Sequence, residues 1–149
     1  MCLKEVLKCF SDHSEACREN SVQVILELLP RCGNISSFLP YIFSVLVDRV
    51  NCYDLEGIED VPEKMRPNPG QKPKSMIKTI ETCEEVRILF CNLVGKIISL
   101  SDENSVRKHL DDIVNIIRAL IMDPSPEIQK AACEILKLFC DTYRLVLLH

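Results

Sequence analysis

The stretch Asp123-Pro-Ser-Pro-Glu-Ile-Gln-Lys-Ala-Ala-Cys-Glu-Ile-Leu-Lys-Leu-Phe139 runs from a proline-bearing turn straight into an apolar, periodic segment. Ile128, Ala131, Ala132, Ile135, Leu136 and Phe139 fall at offsets 0, +3, +4, +7, +8 and +11. That spacing is one stripe of an α-helix. Ser125 is placed to cap the helix, with Pro126 at its first position and Glu127 in its first turn.

The unit recurs upstream. With Val86 as zero, Leu89, Phe90, Leu93, Val94 and Ile97 take the same offsets, behind a Thr82-Cys83-Glu84-Glu85 capping box. With Cys17 as zero, Asn20, Ser21, Val24, Ile25 and Leu28 follow, two of them small and polar. The flanks repeat as well. Asp12 stands six residues before Arg18, Glu81 six before Arg87, and Asp123 six before Gln129. Gln129 departs from the arginine pattern, with Lys130 next to it. An acidic turn residue with an arginine six later, directly after the first stripe residue, resembles the HEAT-repeat signature.

Each patterned helix has an apolar helix ahead of it. Leu3, Val6, Leu7 and Phe10 mark the first, and Phe38, Tyr41, Ile42, Val45, Leu46 and Val50 the second. Leu110, Ile113, Val114, Ile117, Leu120 and Ile121 mark the third. Six helices are predicted, over about 2–10, 14–32, 37–51, 83–100, 105–121 and 126–141. The fold class is therefore all-α, a short α-solenoid of three HEAT-type antiparallel helix pairs. The pairs cover about 1–32, 36–101 and 105–141 of a single domain over 1–149. The second and third arginine-type positions lie 42 residues apart, within the ~40–47 of a HEAT unit, whereas the first two lie 69 apart. The surplus is a long insertion in the middle pair, about 52–80, which holds Pro62, Pro67, Pro69 and Pro73. Its basic residues Lys64, Arg66, Lys72 and Lys74 form a candidate partner-binding loop. Deleting Glu63 to Lys74 is expected to leave the helices intact.

Composition narrows the function. Of 149 residues, 47% are hydrophobic and 27% charged, which suits a folded domain. The net charge is −4 and the pI about 5.4, so a basic nucleic-acid surface is not expected. No segment approaches ~20 apolar residues, the length that spans a membrane, and no signal peptide is visible. Nine cysteines without a C-x-x-C pair fit reduced, buried thiols in a cytosolic protein. The apolar tail Leu145 to Leu148 resembles the start of another helix, so the chain is expected to be a piece or short form of a longer array.

Chemical sites are sparse. His13 lies four residues from both Cys9 and Cys17, the closest approach to a thiol–base pair. His109, Asp111 and Asp112 are the nearest approach to a metal cluster, with a solvated helix start as the simpler account. Neither supports an enzyme, and no cofactor motif is present. The turns within the pairs, SDHSEA and DPSPE, are acidic and lack Trp, which counts against a tubulin-gripping domain.

SDHSEACRENSVQVILELLP, CEEVRILFCNLVGKIISL and DPSPEIQKAACEILKLFC are similar to consecutive repeats of the dynein axonemal assembly factor 5 family. The resemblance implies a non-catalytic, cytoplasmic scaffold in the preassembly of ciliary dynein arms. Its implied partners are dynein chains, chaperones and co-assembly factors. The rivals are a HEAT-type adaptor in transport or phosphatase complexes, and a thiol-dependent enzyme. Asp12, Arg18, Glu81, Arg87, Asp123 and Gln129 are then repeat-signature residues, structural in role. Leu136→Asp is expected to unfold the C-terminal pair.

Overall fold

A computed structural model describes residues 2–54 and 77–144. Among them the elements run α1 (Leu3–Lys8), α2 (Glu15–Leu28), α3 (Leu39–Arg49), β1 (Cys52–Asp54), β2 (Ile77–Thr79), α4 (Glu84–Leu100), α5 (Glu103–Lys108), α6 (Leu110–Ile121) and α7 (Pro126–Thr142). Short 3-10 turns, Cys9–Ser11 and Leu29–Arg31, extend α1 and α2. Gly33, at φ 67°, ends the first unit in the left-handed conformation that favours glycine.

The helices form two layers. In one, α2 packs on α4 and α4 on α7; in the other, α1 packs on α3 and α3 on α6. Helix α1 also packs on α2, and α6 on α7. Both layers follow chain order, which is the stacking of an α-solenoid. Helix α4 is the centre. It buries Val86, Phe90, Cys91, Leu93, Val94, Ile97 and Ile98, and Phe90 stacks on Phe10 with ring centroids 5.8 Å apart.

Three local expectations change. The predicted 105–121 helix is two helices, because His109 leaves helical geometry at φ −115°, ψ 19°. Its ring lies 5.2 Å from that of Phe43, and Asp102 caps the separate α5 by accepting from the Ser105 N–H at 2.8 Å. The stretch expected to be loop from 52 to 80 opens and closes on paired strands, with Cys52 opposite Thr79 and Asp54 opposite Ile77. The Glu63-to-Lys74 deletion falls outside the described residues. Finally, neither Ser125 nor the Thr82-to-Glu85 box caps by its own side chain. The preceding acids serve instead: Asp123 accepts from the Ser125 N–H and Glu81 from the Cys83 N–H, at 2.8 and 2.9 Å.

The apolar stripes are wider than the periodicity indicates, because each layer helix can have a neighbour on either side. Offsets 0, +4, +7 and +11 form a rear flank. They are buried at Val86, Phe90, Leu93 and Ile97, and again at Ile128, Ala132, Ile135 and Phe139. Offsets +1, +5, +8 and +12 form a front flank. They are buried at Arg87, Cys91, Val94 and Ile98 of α4, and at Val22, Ile25 and Leu29 of α2. The front flank of α7 carries Gln129, Cys133, Leu136 and Cys140, all exposed. Leu136, expected in the core, is 39% exposed; Val114 and Ile121 of α6 and Tyr41 of α3 are exposed as well. On α2 the expected stripe residues Asn20 and Leu28 point outward, and Val22 and Leu29 are buried in their stead.

The cysteines also depart from expectation. All nine are free, but only Cys83 and Cys91 are buried; Cys2, Cys32, Cys133 and Cys140 are exposed.

These positions separate two substitutions of the same chemistry. Ile128→Asp places an unpaired charge at a site with 0% exposure and should lower unfolding free energy by at least about 3 kcal/mol. Leu136→Asp should change it by less than about 1 kcal/mol. Urea unfolding followed by helical circular dichroism distinguishes them, and equal losses would contradict the flank assignment.

Candidate functional site

The six signature residues gather along the turn edge of the stack as repeated rungs. Arg18, at the start of α2, donates through Nη1 to the backbone carbonyls of Asp12 and His13, at 2.9 and 3.3 Å. Its Nε and Nη2 then reach the next unit, donating to both carboxylate oxygens of Glu81 at 2.8 and 2.9 Å. Arg87 repeats this one unit on. Nη1 donates to the carbonyls of Glu81 and Thr82 at 3.0 and 3.1 Å, and Nε donates to the Asp123 carboxylate at 2.8 Å. Its Nη2 lies 3.4 Å from the second Asp123 oxygen. The fork of the guanidinium suits this double task.

Spacing alone pairs each acid with the arginine six residues later in its own unit. The structure divides that pair: the arginine takes the acid's carbonyl, while the acid's carboxylate takes the arginine of the preceding unit. Gln129 keeps the first half only, its Nε2 donating to the Asp123 carbonyl at 2.7 Å. Asp12, in the first unit, accepts from the Ser14 N–H at 2.8 Å and is exposed.

Glu81 carries more than its counterparts. Arg49, from the end of α3, donates to its Oε2 at 2.7 Å, so two guanidinium groups share one carboxylate whose side chain is 0% exposed. Arg49 was not singled out by the repeat spacing, since it lies in the other helix layer. Its Nε is a buried nitrogen with no hydrogen-bond partner. Burial alone would raise the Glu81 carboxyl; the bonds from Arg18, the Cys83 N–H and Arg49 outweigh it and hold the group below its ordinary 4.5.

The other candidates behave differently. The thiol of Cys17 is pushed up, first by burial and then by the neighbouring Cys9. Burial likewise lifts Cys52 to about 11 and Cys91 to about 12. An activated nucleophile needs the opposite shift. His13 contributes its backbone carbonyl to Arg18. His109 Nδ1 does approach Asp112, at 3.5 Å, but no cluster of three His, Cys, Asp or Glu side chains suited to a metal occurs among the described residues. No helix among them is long and apolar enough to cross a membrane. Lys64, Arg66, Lys72 and Lys74 lie outside the described residues, as does the apolar tail 145–148.

Two grooves flank the stack. Val114, Ile117, Ile121, Met122, Leu136 and Phe139, with Arg118, line an almost wholly apolar groove of 390 Å³ on α6 and α7. At the opposite end Leu28 lines one of 210 Å³ with Leu3, Val6, Cys32 and Phe38.

The sequence model of the family described as Dynein axonemal assembly factor 5-like, TPR repeats, matches residues 1–67 and 74–145. Two curated relatives named Dynein axonemal assembly factor 5, from Xenopus laevis and Mus musculus, are 25% and 27% identical over 132 residues. That stretch is 89% of this chain and 13% of each relative, so the chain spans about an eighth of their length. No solved structure matches. The chain belongs to the dynein axonemal assembly factor 5-like family. Although the family's description names TPR repeats, whose period is ~34 residues, the rungs and the 42-residue interval from Arg87 to Gln129 fit the longer HEAT unit. Both are stacked helix hairpins.

The rungs make two predictions. Arg87→Ala strands the Asp123 carboxylate, which is 1% exposed, and should cost about 3–5 kcal/mol in urea unfolding. Lys8→Ala, which breaks the exposed pair with Glu5, should leave the urea midpoint nearly unchanged. Because the Glu81 pKa is lowered in the folded state, its rung stabilises fully above the ordinary carboxyl value of 4.5 and is lost as pH falls below it. Thermal melts from pH 7 to pH 3 should therefore fall less steeply in Glu81→Gln than in the parent. Parallel curves would contradict this.

Proposed function

We propose that this member of the dynein axonemal assembly factor 5-like family is a non-catalytic scaffold that holds partner proteins while axonemal dynein arms are built. The observation that carries the proposal is the family match across 1–67 and 74–145. The relatives' name supplies the axonemal dynein context. The partners are dynein chains, chaperones and co-assembly factors, and the work is done in the cytoplasm before the arms enter the axoneme. Units 1–32, 36–101 and 105–141 act as one domain, because each layer helix needs its neighbours to cover both flanks. The insertion, through Lys64, Arg66, Lys72 and Lys74, contacts acidic segments of a partner.

The geometry supports a holding role rather than chemistry. Its buried ion pairs join units and layers, through Arg18, Arg49 and Arg87. The thiols with shifted pKa values are held in their protonated form.

A tagged copy recovered from ciliated cells should bring dynein heavy or intermediate chains together with chaperones. Recovery of transport cargo or phosphatase subunits without dynein chains would contradict the proposal. Replacing Cys9, Cys17 and His13 together should leave dynein-arm rescue unchanged, whereas reversing the charge of the four insertion residues should lower recovery of partners several-fold.

A further inference from the structure

Between α1 and α3 runs a furrow of 500 Å³, on the side of the stack rather than at an end of it. Both walls belong to this chain and pack on each other. A further helix stacked behind α1 would lie on the side of α1 away from α3, so stacking does not cover the furrow.

The lining is cationic in an acidic protein. Lys4, Lys8 and Arg49 line the furrow against one acid, Asp48, although the whole chain carries a net charge of −4. Lys8 is paired with Glu5. Lys4 has no ion pair among the described residues, and its Nζ sits 4.8 Å from the centre of the Tyr41 ring. Arg49 brings more charge than its own bond shows. It shares Glu81 with Arg18, so two guanidinium groups face one buried carboxylate and the cluster keeps one positive charge in excess. Its Nε is buried without a partner. Buried charge is screened less than exposed charge, and a concave wall focuses its field.

Tyr41 adds an anchor. Its spacing in α3 places it in an apolar stripe, yet it is 46% exposed in the furrow wall. A tyrosine held open among cations offers apolar area and a polar tip at one point, the chemistry enriched where proteins grip partners.

Resting on the scaffold function proposed above, we propose that the furrow between α1 and α3 binds an acidic linear segment of a partner protein, with carboxylates on Lys4 and the Arg49 edge and an apolar side chain on Tyr41. From Tyr41 to Asp48 is about 11 Å of helix axis, which about three extended residues span, so the recognised motif is short. Nucleic acid is a poorer occupant, because the furrow offers one aromatic side chain for stacking and the pI of the chain is about 5.4.

The probe is a labelled peptide in which glutamates flank a central phenylalanine; the control peptide carries glutamines in place of the glutamates. Each is titrated against the full chain by fluorescence anisotropy, with circular dichroism confirming equal helicity of every variant. The acidic peptide should bind at least about tenfold more tightly than the control, and the gain should shrink as salt rises from about 0.1 M to about 1 M. Lys4→Glu should weaken binding at least about fivefold, and Tyr41→Ser should weaken it as well. Asp48→Asn removes the furrow's own acid and should tighten binding, an effect that loss of folding cannot mimic. Lys137→Glu, on α7 and exposed, makes the same charge change as Lys4→Glu outside the furrow and should leave binding unchanged. Equal binding of the two peptides, equal losses from Lys4→Glu and Lys137→Glu, or no tightening by Asp48→Asn overturns the inference. A single-stranded oligonucleotide that outcompetes the acidic peptide, or self-association of the parent that Lys4→Glu abolishes, overturns the choice of occupant. The titration uses purified chain and peptide, so it can fail while dynein chains are still recovered from cells, and succeed while they are not.

Discussion

Helix α4 has two apolar flanks and one width, and that constraint organises the molecule. A helix lying between two others can bury a stripe well over 100° wide, whereas an end helix buries only the side that has a neighbour. Phe90 against Phe10 marks one flank of α4, and Gly95 facing Ile135 of α7 marks the other. The Tyr143 hydroxyl adds a polar clasp, lying 2.8 Å from the Ile98 carbonyl near the end of α4.

Apolar flanks slide easily past one another, so contact alone does not set register. The rungs supply it. A buried ion pair adds little net stability, because desolvation offsets its attraction, but a misplaced one is strongly penalised. Arg87 must find Asp123 while its Nη1 still satisfies two carbonyls of its own turn, and a shift of one helical residue would break both sets of bonds. Glu81 joins three elements at once, because Arg49 ties the α3 layer to the turn that Arg18 already holds. Position along the stack is thus encoded in charge, and adhesion in apolar area.

Much of this was legible in the residues. The stripes at Val86 and Ile128, the acid-to-arginine spacing and the helix order all follow from periodicity, and the family resemblance agrees with the match over most of the chain. What periodicity could not show is which side of a stripe has a neighbour. Leu136 and Val94 hold the same offset, yet Val94 is buried, on a helix that packs against both α2 and α7, and Leu136 is exposed. Likewise the six-residue interval between Asp12 and Arg18 contains no sign that the arginine's carboxylate partner is Glu81, 63 residues away. Capping was misassigned for a related reason: Ser125 has the right chemistry, but Asp123 two residues earlier reaches the turn N–H first. The helix break at His109 coincides with its ring contact to Phe43, a tertiary contact with no local signal.

The most direct test of a stack centred on α4 is native-state hydrogen exchange, which resolves stability helix by helix. Amides from Leu89 to Ile98 should exchange only through global unfolding, with α1 and the front half of α7 opening earlier. If α4 instead exchanges as readily as α1, no shared core runs through the stack and the scaffold architecture argued for here is wrong.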